Sequence, residues 1–564
     1  MVHSYSILDD VTPEDLGLPA KFSEFRQIQR EAVHYGLYGP GSDKEQRRFI
    51  AEGQPAGSGK SITSLALGKM AGCKFVILTA TRALEDQYVS YGVEGLVNVR
   101  GRRNYHCTDP EHLGDPTWDC DRGDDERCPY SGTGRCAYRQ RVEEAKEAGA
   151  IVTNYAYWMQ VRSRNQAALE VNEEDALRPD PIRLLIADEA HLADGLLSNF
   201  LGIWVGMTDL HRFANTQIRQ CVQAAAGKEW GMLTKPWIEA LATAYASIST
   251  RMNDIAIEYP SNEAARRLNK DYRRLAKVYD DLNRILSLGG DGNWLWRMTR
   301  SGIAFDCVWP GRYAERYLWT GVERVVLMSG TLRPMAMTLL GLSASKYWFQ
   351  EWPRVFPATN NPVVWVPYYE NGKQKRVTIG KKATDEDLEI AIRRADAIYD
   401  EWAPGIKGMV QSTSYKRAEY WQAKSKWGRY MLLNKPGEAG GTMERFMKSE
   451  PPCILVSPSY TTGWDVPPDL NQGWMHIPKL PFADLSDPVV QARRTSDPDW
   501  YDYMTAQTFQ QETARMVRNE FHKCTVMVTD DAIGRFRQYA RKHWSTWYTV
   551  LEAPGGKVPR APRM

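Results

Sequence analysis

Short runs of apolar and β-branched residues recur along the chain, and each run is followed by polar residues or glycine. Short runs that are almost entirely apolar are typical of parallel strands buried on both faces of a sheet. The runs are Phe75–Thr79, Ile151–Thr153, Leu184–Ala187, Val325–Met328, Ile454–Val456 and Thr525–Val528. Helix-like stretches lie between them, so the sequence predicts an α/β fold whose ligands bind at the carboxyl ends of the strands.

Composition excludes several other classes of protein. The chain has 564 residues, of which 43% are hydrophobic and 25% are charged, as in globular proteins and unlike disordered or fibrous chains. At roughly 100–200 residues per domain, this length predicts about three to five domains. Lysine and arginine (72) nearly balance aspartate and glutamate (69), so any nucleic-acid surface must be a local basic region.

The sequence shows no signal for export or for membrane insertion. No apolar run approaches the roughly 18 residues that a membrane span needs. The first ten residues lack both the basic and the apolar part of a secretion signal. We therefore expect a cytoplasmic protein that does not associate with membranes.

A glycine-rich segment at residues 54–61 has the context of a phosphate-binding loop, because it lies between a predicted strand (Phe49–Ala51) and a helix-like stretch (Ile62–Met70). The residues that would bind a nucleotide or its Mg²⁺ here are Gly57, Ser58, Gly59, Lys60 and Ser61. The glycines let backbone N–H groups point at one anion, Lys60 can neutralise the β- and γ-phosphates, and Ser61 can ligate Mg²⁺. The alternative is an ordinary glycine-rich turn, which the flanking strand and helix disfavour.

Two adjacent carboxylates, Asp188 and Glu189, directly follow the apolar run that ends at Ala187. At the carboxyl end of a strand, Asp188 would hold Mg²⁺, while Glu189 would orient and deprotonate the attacking water. An exposed acidic turn is the alternative, and the phosphate-binding loop upstream weighs against it. The pair therefore predicts hydrolysis of a nucleoside triphosphate.

Arg515 and Arg518 are three residues apart, so on a helix they would share one face. Planar guanidinium groups from a second domain can stabilise charge on a transferring γ-phosphoryl group. Without the loop and the carboxylates upstream, two surface arginines would be the better interpretation.

The nine cysteines include four within thirty residues, Cys107, Cys120, Cys128 and Cys136. An odd total argues against a fully paired disulfide framework. The four are separated by 12, 7 and 7 residues, and the closely paired cysteines of structural zinc sites are absent from the sequence. This spacing favours a [4Fe–4S] cluster with four thiolate ligands, while zinc and an incidental grouping remain alternatives.

Taken in order, these segments resemble a superfamily 2 helicase, and specifically the iron–sulfur XPD/DinG family. The matching motifs are the adenine-reading Q motif with Gln29, motif I (54–61), motif Ia (75–82), motif II (188–191), motif III (328–332), motif V (459–465) and motif VI (511–518). Three positions depart from the family pattern, since Gln54, Val466 and Ala514 stand where a small residue, an aromatic residue and a glycine are usual. None of these changes removes a charged group that hydrolysis needs.

The resemblance also implies roles for residues that the pattern alone leaves open. Gln511, Gly463 and Asp465 would contact the nucleotide, and Arg515 and Arg518 would both act as arginine fingers. Four residues would couple the state of the nucleotide to DNA, and they are His191, Ser329, Gly330 and Thr331. Arg100, Arg102 and Arg103 precede the cysteine group and are candidate DNA phosphate contacts, with a solvated turn as the alternative.

The implied fold is two RecA-like parallel-sheet lobes with two insertions in the first lobe. The first lobe would comprise residues 1–99, 141–199 and 321–345, and the second lobe residues 346–564. An iron–sulfur domain (100–140) and a helical arch (200–320) would be the insertions. Within the arch, apolar residues from Leu268 to Leu286 recur at heptad spacing, which predicts a helix packed on a partner helix.

We therefore expect a monomeric, ATP- and Mg²⁺-dependent DNA helicase that acts on single-stranded and forked DNA. The resemblance implies 5′→3′ movement. Because no secretion signal is seen, we expect the site of action to be the cytoplasm of a bacterial or phage-infected cell, or the nucleoid. One alternative is a translocase that moves on nucleic acid without separating strands. A redox-sensing DNA-binding protein with a vestigial nucleotide site is another, which the intact motif I and II residues disfavour.

Overall fold

The computed structural model describes residues 8–41, 47–106, 135–169, 182–209, 216–258, 270–288, 292–380, 383–460 and 471–562. The strands are β1 (Phe49–Gly53), β2 (Phe75–Thr79), β3 (Leu96–Asn98), β4 (Ala150–Asn154), β5 (Leu184–Ala187), β6 (Ile203–Gly206), β7 (Trp230–Met232), β8 (Trp294–Met298), β9 (Gly302–Cys307), β10 (Arg324–Ser329), β11 (Tyr347–Glu351), β12 (Val363–Trp365), β13 (Tyr368–Glu370), β14 (Lys373–Lys375), β15 (Gly408–Gln411), β16 (Met431–Leu433), β17 (Ile454–Ser457), β18 (Gln472–Ile477), β19 (Lys523–Val528) and β20 (Val550–Glu552).

The α-helices are α1 (Gln27–Tyr38), α2 (Lys60–Met70), α3 (Arg82–Ser90), α4 (Ala137–Glu147), α5 (Tyr155–Leu169), α6 (Ala193–Leu201), α7 (Thr216–Ala224), α8 (Lys235–Glu258), α9 (Lys270–Leu288), α10 (Pro334–Leu339), α11 (Asp385–Trp402), α12 (Tyr415–Lys424), α13 (Ala439–Lys448), α14 (Pro488–Ser496), α15 (Pro498–Thr513) and α16 (Ile533–Tyr539). Among the residues described, no helix combines the length and the apolar character that crossing a membrane requires.

Two seven-stranded sheets, each parallel throughout, form the two lobes. The strand order is β11-β1-β10-β5-β2-β4-β3 in the first lobe and β16-β17-β15-β18-β19-β12-β20 in the second. The six apolar runs of the sequence correspond to β2, β4, β5, β10, β17 and β19. The predicted α/β fold with two parallel-sheet lobes is therefore confirmed.

The strands are apolar because hydrophobic cores lie on both faces of each sheet. In β2, Val76 belongs to the core on one face and Ile77 to the core on the opposite face. In β17, Leu455 and Val456 divide in the same way. Burial on both faces leaves the strand ends as the places where polar side chains reach solvent, and the candidate site lies there.

The stretch that the sequence assigned to a helical arch is only partly helical. Strands β6 to β9 form a four-stranded antiparallel sheet beside α7, α8 and α9. In α9, Leu275 and Leu282 of the heptad are buried, and Tyr279 stacks on Tyr245 of α8 with ring centroids 4.5 Å apart. Leu268, the first residue of the heptad, lies outside the described residues. From Leu275 onward the heptad forms a helix-to-helix seam, while β-branched and aromatic residues in the short flanking segments form the sheet.

The first lobe extends further along the chain than residue 345, where the sequence placed its end. Strand β11 follows that residue and pairs in parallel with β1, with Tyr347 opposite Phe49. The helix pair α14–α15 of the second lobe also contacts the first lobe, since Trp500 and Tyr503 belong to the first lobe's core. The interface between the lobes is therefore partly apolar and lies beside motif VI.

Candidate active site between the two lobes

A cleft of about 890 Å³ lies at the carboxyl ends of the first sheet and is lined by both lobes. The predicted site residues that line it are Gln29, Gly57, Gly59, Lys60, Ser61, Asp188, Glu189, Gly330, Thr331, Gln511, Arg515 and Arg518. Motifs that are far apart in the chain therefore converge on a single cavity. Its volume is sufficient for a nucleoside triphosphate.

The glycine-rich loop joins β1 to α2, and its two glycines have backbone angles that other residues rarely adopt. Gly57 has a φ of +79° and Gly59 a φ of +84°. A Cβ atom on Gly59 would lie 2.3 Å from the Gln29 amide nitrogen, and one on Gly57 would lie 2.3 Å from the Phe356 ring. Helix α2 begins at Lys60, so its unpaired N–H groups and positive end face the cleft. Ser58 of the same loop, by contrast, is buried.

Helix α1 is fixed to this loop by two side chains. The Gln29 side-chain amide donates to the Gly59 carbonyl oxygen at 3.4 Å, and its oxygen accepts from the Arg26 N–H at 2.9 Å. The Arg26 guanidinium donates to the Gly57 carbonyl oxygen at 2.5 Å. Sequence reasoning did not single out Arg26, although it lies three residues before Gln29 and lines the cleft.

The carboxylate pair lies directly across the cleft from the loop. Asp188 accepts hydrogen bonds from the Tyr88 hydroxyl at 3.0 Å and from the Glu189 N–H at 2.9 Å. The nearer Glu189 oxygen is 4.0 Å from the Lys60 amine. Asp188 and Glu189 therefore have different surroundings, although they are adjacent in the chain.

These surroundings move the two carboxyl pKa values in opposite directions. Burial raises the pKa of Asp188, the charge of Glu189 raises it further, and Lys60 opposes both effects. Burial also acts to raise the pKa of Glu189, but Lys60 and His191 outweigh it, so that pKa lies below its ordinary value. Glu189 is therefore ionised at neutral pH and can orient a water molecule.

Motif III connects this pair to the second lobe. The Ser329 hydroxyl lies 2.7 Å from His191 Nδ1 and donates to Glu189 at 3.1 Å. Two residues later, Thr331 is held by α15, since the Gln511 amide donates to its hydroxyl at 2.9 Å. The Gln507 amide donates to its carbonyl oxygen at 2.8 Å.

Gln507 was not predicted as a site residue. It lies four residues before Gln511 on the same helix, and that spacing is the signal that could have found it. Gly330 lies between the lobes, because a Cβ atom there would be 3.7 Å from both the Lys60 amine and the Gln511 amide nitrogen.

Arg515 and Arg518 line the cleft, but the expectation that they share a helix face is wrong. Helix α15 ends at Thr513, before either arginine. The Asn361 amide donates to the Thr513 carbonyl oxygen at 2.8 Å and thereby occupies an acceptor that a continuing helix would use. The two guanidinium groups therefore reach the cleft from an irregular segment rather than from a helix.

Comparison with known proteins agrees with this architecture. Residues 409–549 match the helicase C-terminal domain family. The structure of S. tokodaii Xpd4 is similar over 94% of this chain and 100% of its own, with 14% identity and a TM-score of 0.58. The chain therefore has the fold of this XPD structure.

Two further XPD structures support the same fold. A structure of an XPD helicase covers 93% of this chain and 98% of its own, at 13% identity and a TM-score of 0.57. An apo XPD structure covers 94% and 100%, at 12% identity and a TM-score of 0.54. Among curated proteins, no sequence matches the chain.

Some predicted residues of this XPD-like fold cannot be placed. Gly463, Asp465, Cys107, Cys120 and Cys128 lie outside the described residues. Cys136 is half-buried at the start of α4. Within the described ranges, no three histidine, cysteine, aspartate or glutamate side chains converge as a metal site.

Arg100 lies beside two acidic side chains. Its guanidinium contacts Glu85 at 2.7 Å and also pairs with Asp86. Glu85 is fully buried, so Arg100 compensates a buried carboxylate. Arg102 is half-buried and Arg103 is exposed in the turn that follows.

The unusual Gln54 of motif I has a structural explanation. Its side chain is buried and donates to the Glu52 carboxylate at 3.1 Å, and the Trp352 indole donates to the same oxygen at 2.7 Å. Burial raises the pKa of Glu52 to about 8, although both hydrogen bonds oppose the shift. Gln54 thus provides a hydrogen-bond donor to a buried carboxyl group in β1, the strand that leads into the loop.

Glu52→Gln should stabilise the protein increasingly as the pH rises from 5 to 8. Between the ordinary pKa of 4.5 and the folded-state pKa of about 8, Glu52 ionises only in the unfolded state. Folding must then take up a proton, so the free energy of unfolding falls as the pH rises. Glutamine imitates the protonated carboxyl and removes this loss. The melting temperature should exceed that of the wild type by on the order of 5 °C at pH 8 and by much less at pH 5.

The matched control is Glu94→Gln, which alters an exposed glutamate of the same lobe. Its melting temperature should follow the wild type at every pH. Identical pH profiles for Glu52→Gln and the wild type would show that Glu52 is ionised in the folded protein.

Proposed function

We propose that this protein is an ATP-dependent DNA helicase of the iron–sulfur XPD/DinG family, which translocates 5′→3′ on single-stranded DNA and unwinds forked duplexes. The observation that carries this proposal is the convergence of Lys60, Glu189 and Arg515 on one cleft between two parallel-sheet lobes. The XPD-like fold and the helicase C-terminal match support it.

In the proposed reaction, the first lobe binds ATP and prepares the attacking water. Gln29 contacts the adenine, while the loop N–H groups and Lys60 bind the phosphates. Ser61 and Asp188 would hold Mg²⁺, which neutralises charge on the β- and γ-phosphate oxygens. Glu189 orients the water and accepts its proton as the water oxygen bonds to the γ-phosphorus. The bond between that phosphorus and the ADP oxygen breaks, and the products are ADP and inorganic phosphate.

The second lobe completes the site when the cleft is closed. Arg515 and Arg518 stabilise the charge of the transferring phosphoryl group, and Gln511, Gly463 and Asp465 are the proposed nucleotide contacts. Loss of the γ-phosphate removes the ligand that both lobes share, so the lobes separate.

The contacts of motif III would transmit this movement. The Gln507 and Gln511 bonds to Thr331 cross the cleft, and Ser329 links them to Glu189 and His191. Alternating closure and opening would move the lobes along the DNA phosphate backbone.

The four cysteines are proposed as ligands of a [4Fe–4S] cluster that braces a small wedge in the first lobe. The ends of the segment that holds Cys107, Cys120 and Cys128 lie together, since the Tyr105 and Tyr138 rings are 5.7 Å apart. Cys136, one of the four proposed ligands, lies at this point of attachment. Protein purified without oxygen should contain about four iron atoms and equivalent sulfide per chain. Zinc without iron would contradict the cluster.

Forked-duplex unwinding tests the proposed activity. With ATP and Mg²⁺, the protein should separate a duplex that carries a 5′ single-stranded tail and leave one with only a 3′ tail intact. Displacement of a tail-bound protein block without strand separation would instead establish the translocase alternative. Absence of both activities, together with absent DNA-stimulated ATP hydrolysis, would overturn the proposal.

A further inference from the structure

An arginine of the second lobe is buried against the first lobe, at a distance from the candidate active site. Arg493 of α14 is only 4% exposed. Its guanidinium donates to the Asp194 carboxylate of α6 at 3.1 Å and to the Val308 carbonyl oxygen at 2.6 Å. Asp194 is also 4% exposed, so both charges of this ion pair are shielded from water.

Two tryptophans complete the enclosure of this arginine. The guanidinium lies 5.2 Å from the ring centroids of both Trp309 and Trp500. Trp309 follows β9 in the stretch inserted into the first lobe, whereas Trp500 belongs to α15 of the second lobe. Cation–π attraction therefore adds to the ion pair on both sides of the interface.

The two partners of the ion pair are each connected to the site. Asp194 lies three residues after His191 of motif II, in the first turn of α6. Helix α14 is followed directly by α15, which carries Gln507 and Gln511 and ends just before Arg515. The helix pair α14–α15 is thus attached to the first lobe at two places, by Arg493 and by the glutamines that bind Thr331.

We propose that Arg493 is a positioning residue, which acts through Asp194 to hold α15 where Arg515 and Arg518 reach the γ-phosphate. This inference rests on the proposed function. A shift of the docked helix pair that separates Arg493 from Asp194 while both stay buried would leave two charges without their partners, which is costly, so the ion pair favours one docked arrangement. Because finger arginines act only when correctly placed, loss of this attachment lowers the rate of hydrolysis more than it weakens ATP binding.

The test is steady-state ATP hydrolysis at saturating single-stranded DNA by the full-length protein. Arg493→Met keeps the side chain's bulk between the tryptophans and removes its charge and hydrogen bonds. Its kcat should fall by on the order of tenfold or more, while KM for ATP changes by less than about twofold. Arg494→Met is the matched control, because Arg494 is the exposed neighbour on the same helix, and its kcat should equal that of the wild type.

A double-mutant cycle adds two variants, Asp194→Asn alone and Asp194→Asn combined with Arg493→Met. If both residues act through one contact, the double variant should lose no more kcat than Arg493→Met alone. If the two single-variant losses of kcat multiply in the double variant, the proposal is overturned. A lower melting temperature of Arg493→Met with an unchanged kcat would also overturn it. If Arg493→Met does not fold, Arg493→Lys replaces it and should show a reduced kcat, whereas a wild-type value would overturn the proposal. The wild-type rate separates the role of Arg493 from the proposed function. If the wild-type protein shows no DNA-stimulated ATP hydrolysis, the proposed function itself is refuted.

Discussion

Lys60→Ala should reduce DNA-stimulated ATP hydrolysis by about 10³-fold or more. The Lys60 amine is the positive group at the amino end of α2, faces Glu189 at 4.0 Å, and lies next to Gly330. Alanine removes the charge that would neutralise the β- and γ-phosphates. The loop should keep its conformation, because its glycines determine it. Phosphate release with saturating single-stranded DNA measures the effect.

Lys69→Ala is the matched control for this variant. Lys69 lies at the other end of α2, where its amine donates to the Glu94 carbonyl oxygen. Its rate should equal that of the wild type, and both variants should melt at similar temperatures. Full activity of a folded Lys60→Ala variant would rule out the assigned phosphate site.

Arg515→Ala should lower kcat by about 10³-fold while KM for ATP changes little. The loop and Lys60 bind the ground-state phosphates in the first lobe, whereas Arg515 approaches from the second lobe and contributes when charge develops on the γ-phosphoryl group. Arg515→Lys should recover only part of the rate, because an amine keeps the charge but lacks the planar fork. The same hydrolysis assay, with ATP varied, separates kcat from KM.

Arg535→Ala serves as the control, since Arg535 is an exposed arginine on α16 of the same lobe. It should behave as the wild type in both constants. A change confined to KM in Arg515→Ala would mean that Arg515 contributes to binding alone and would contradict its role as a finger.

The sequence predicted those features that local chemistry determines. The apolar runs became β2, β4, β5, β10, β17 and β19, because strands buried on both faces must be apolar. Gly57 and Gly59 were identifiable because only glycine tolerates both their backbone angles and their close neighbours. The parallel sheets then brought the residues that follow β1, β5 and β10 to one edge.

Features that depend on distant contacts were not predictable in the same way. The end of α15 before Arg515 coincides with a hydrogen bond from Asn361, which lies 152 residues away in the chain. The ion pair of Arg493 with Asp194 joins residues 299 apart, and no local pattern marks either partner. The sheet beside α8 and α9 was missed because its short strands are separated by long helices, whose periodicity dominates the segment.

The most direct test of the central claim is a structure of the protein with Mg²⁺ and a non-hydrolysable ATP analogue. We expect the adenine against Gln29, the γ-phosphate between the Lys60 amine and the guanidinium groups of Arg515 and Arg518, and Glu189 facing the γ-phosphorus. A nucleotide bound elsewhere, or bound here with both arginines turned away from the γ-phosphate, would contradict it.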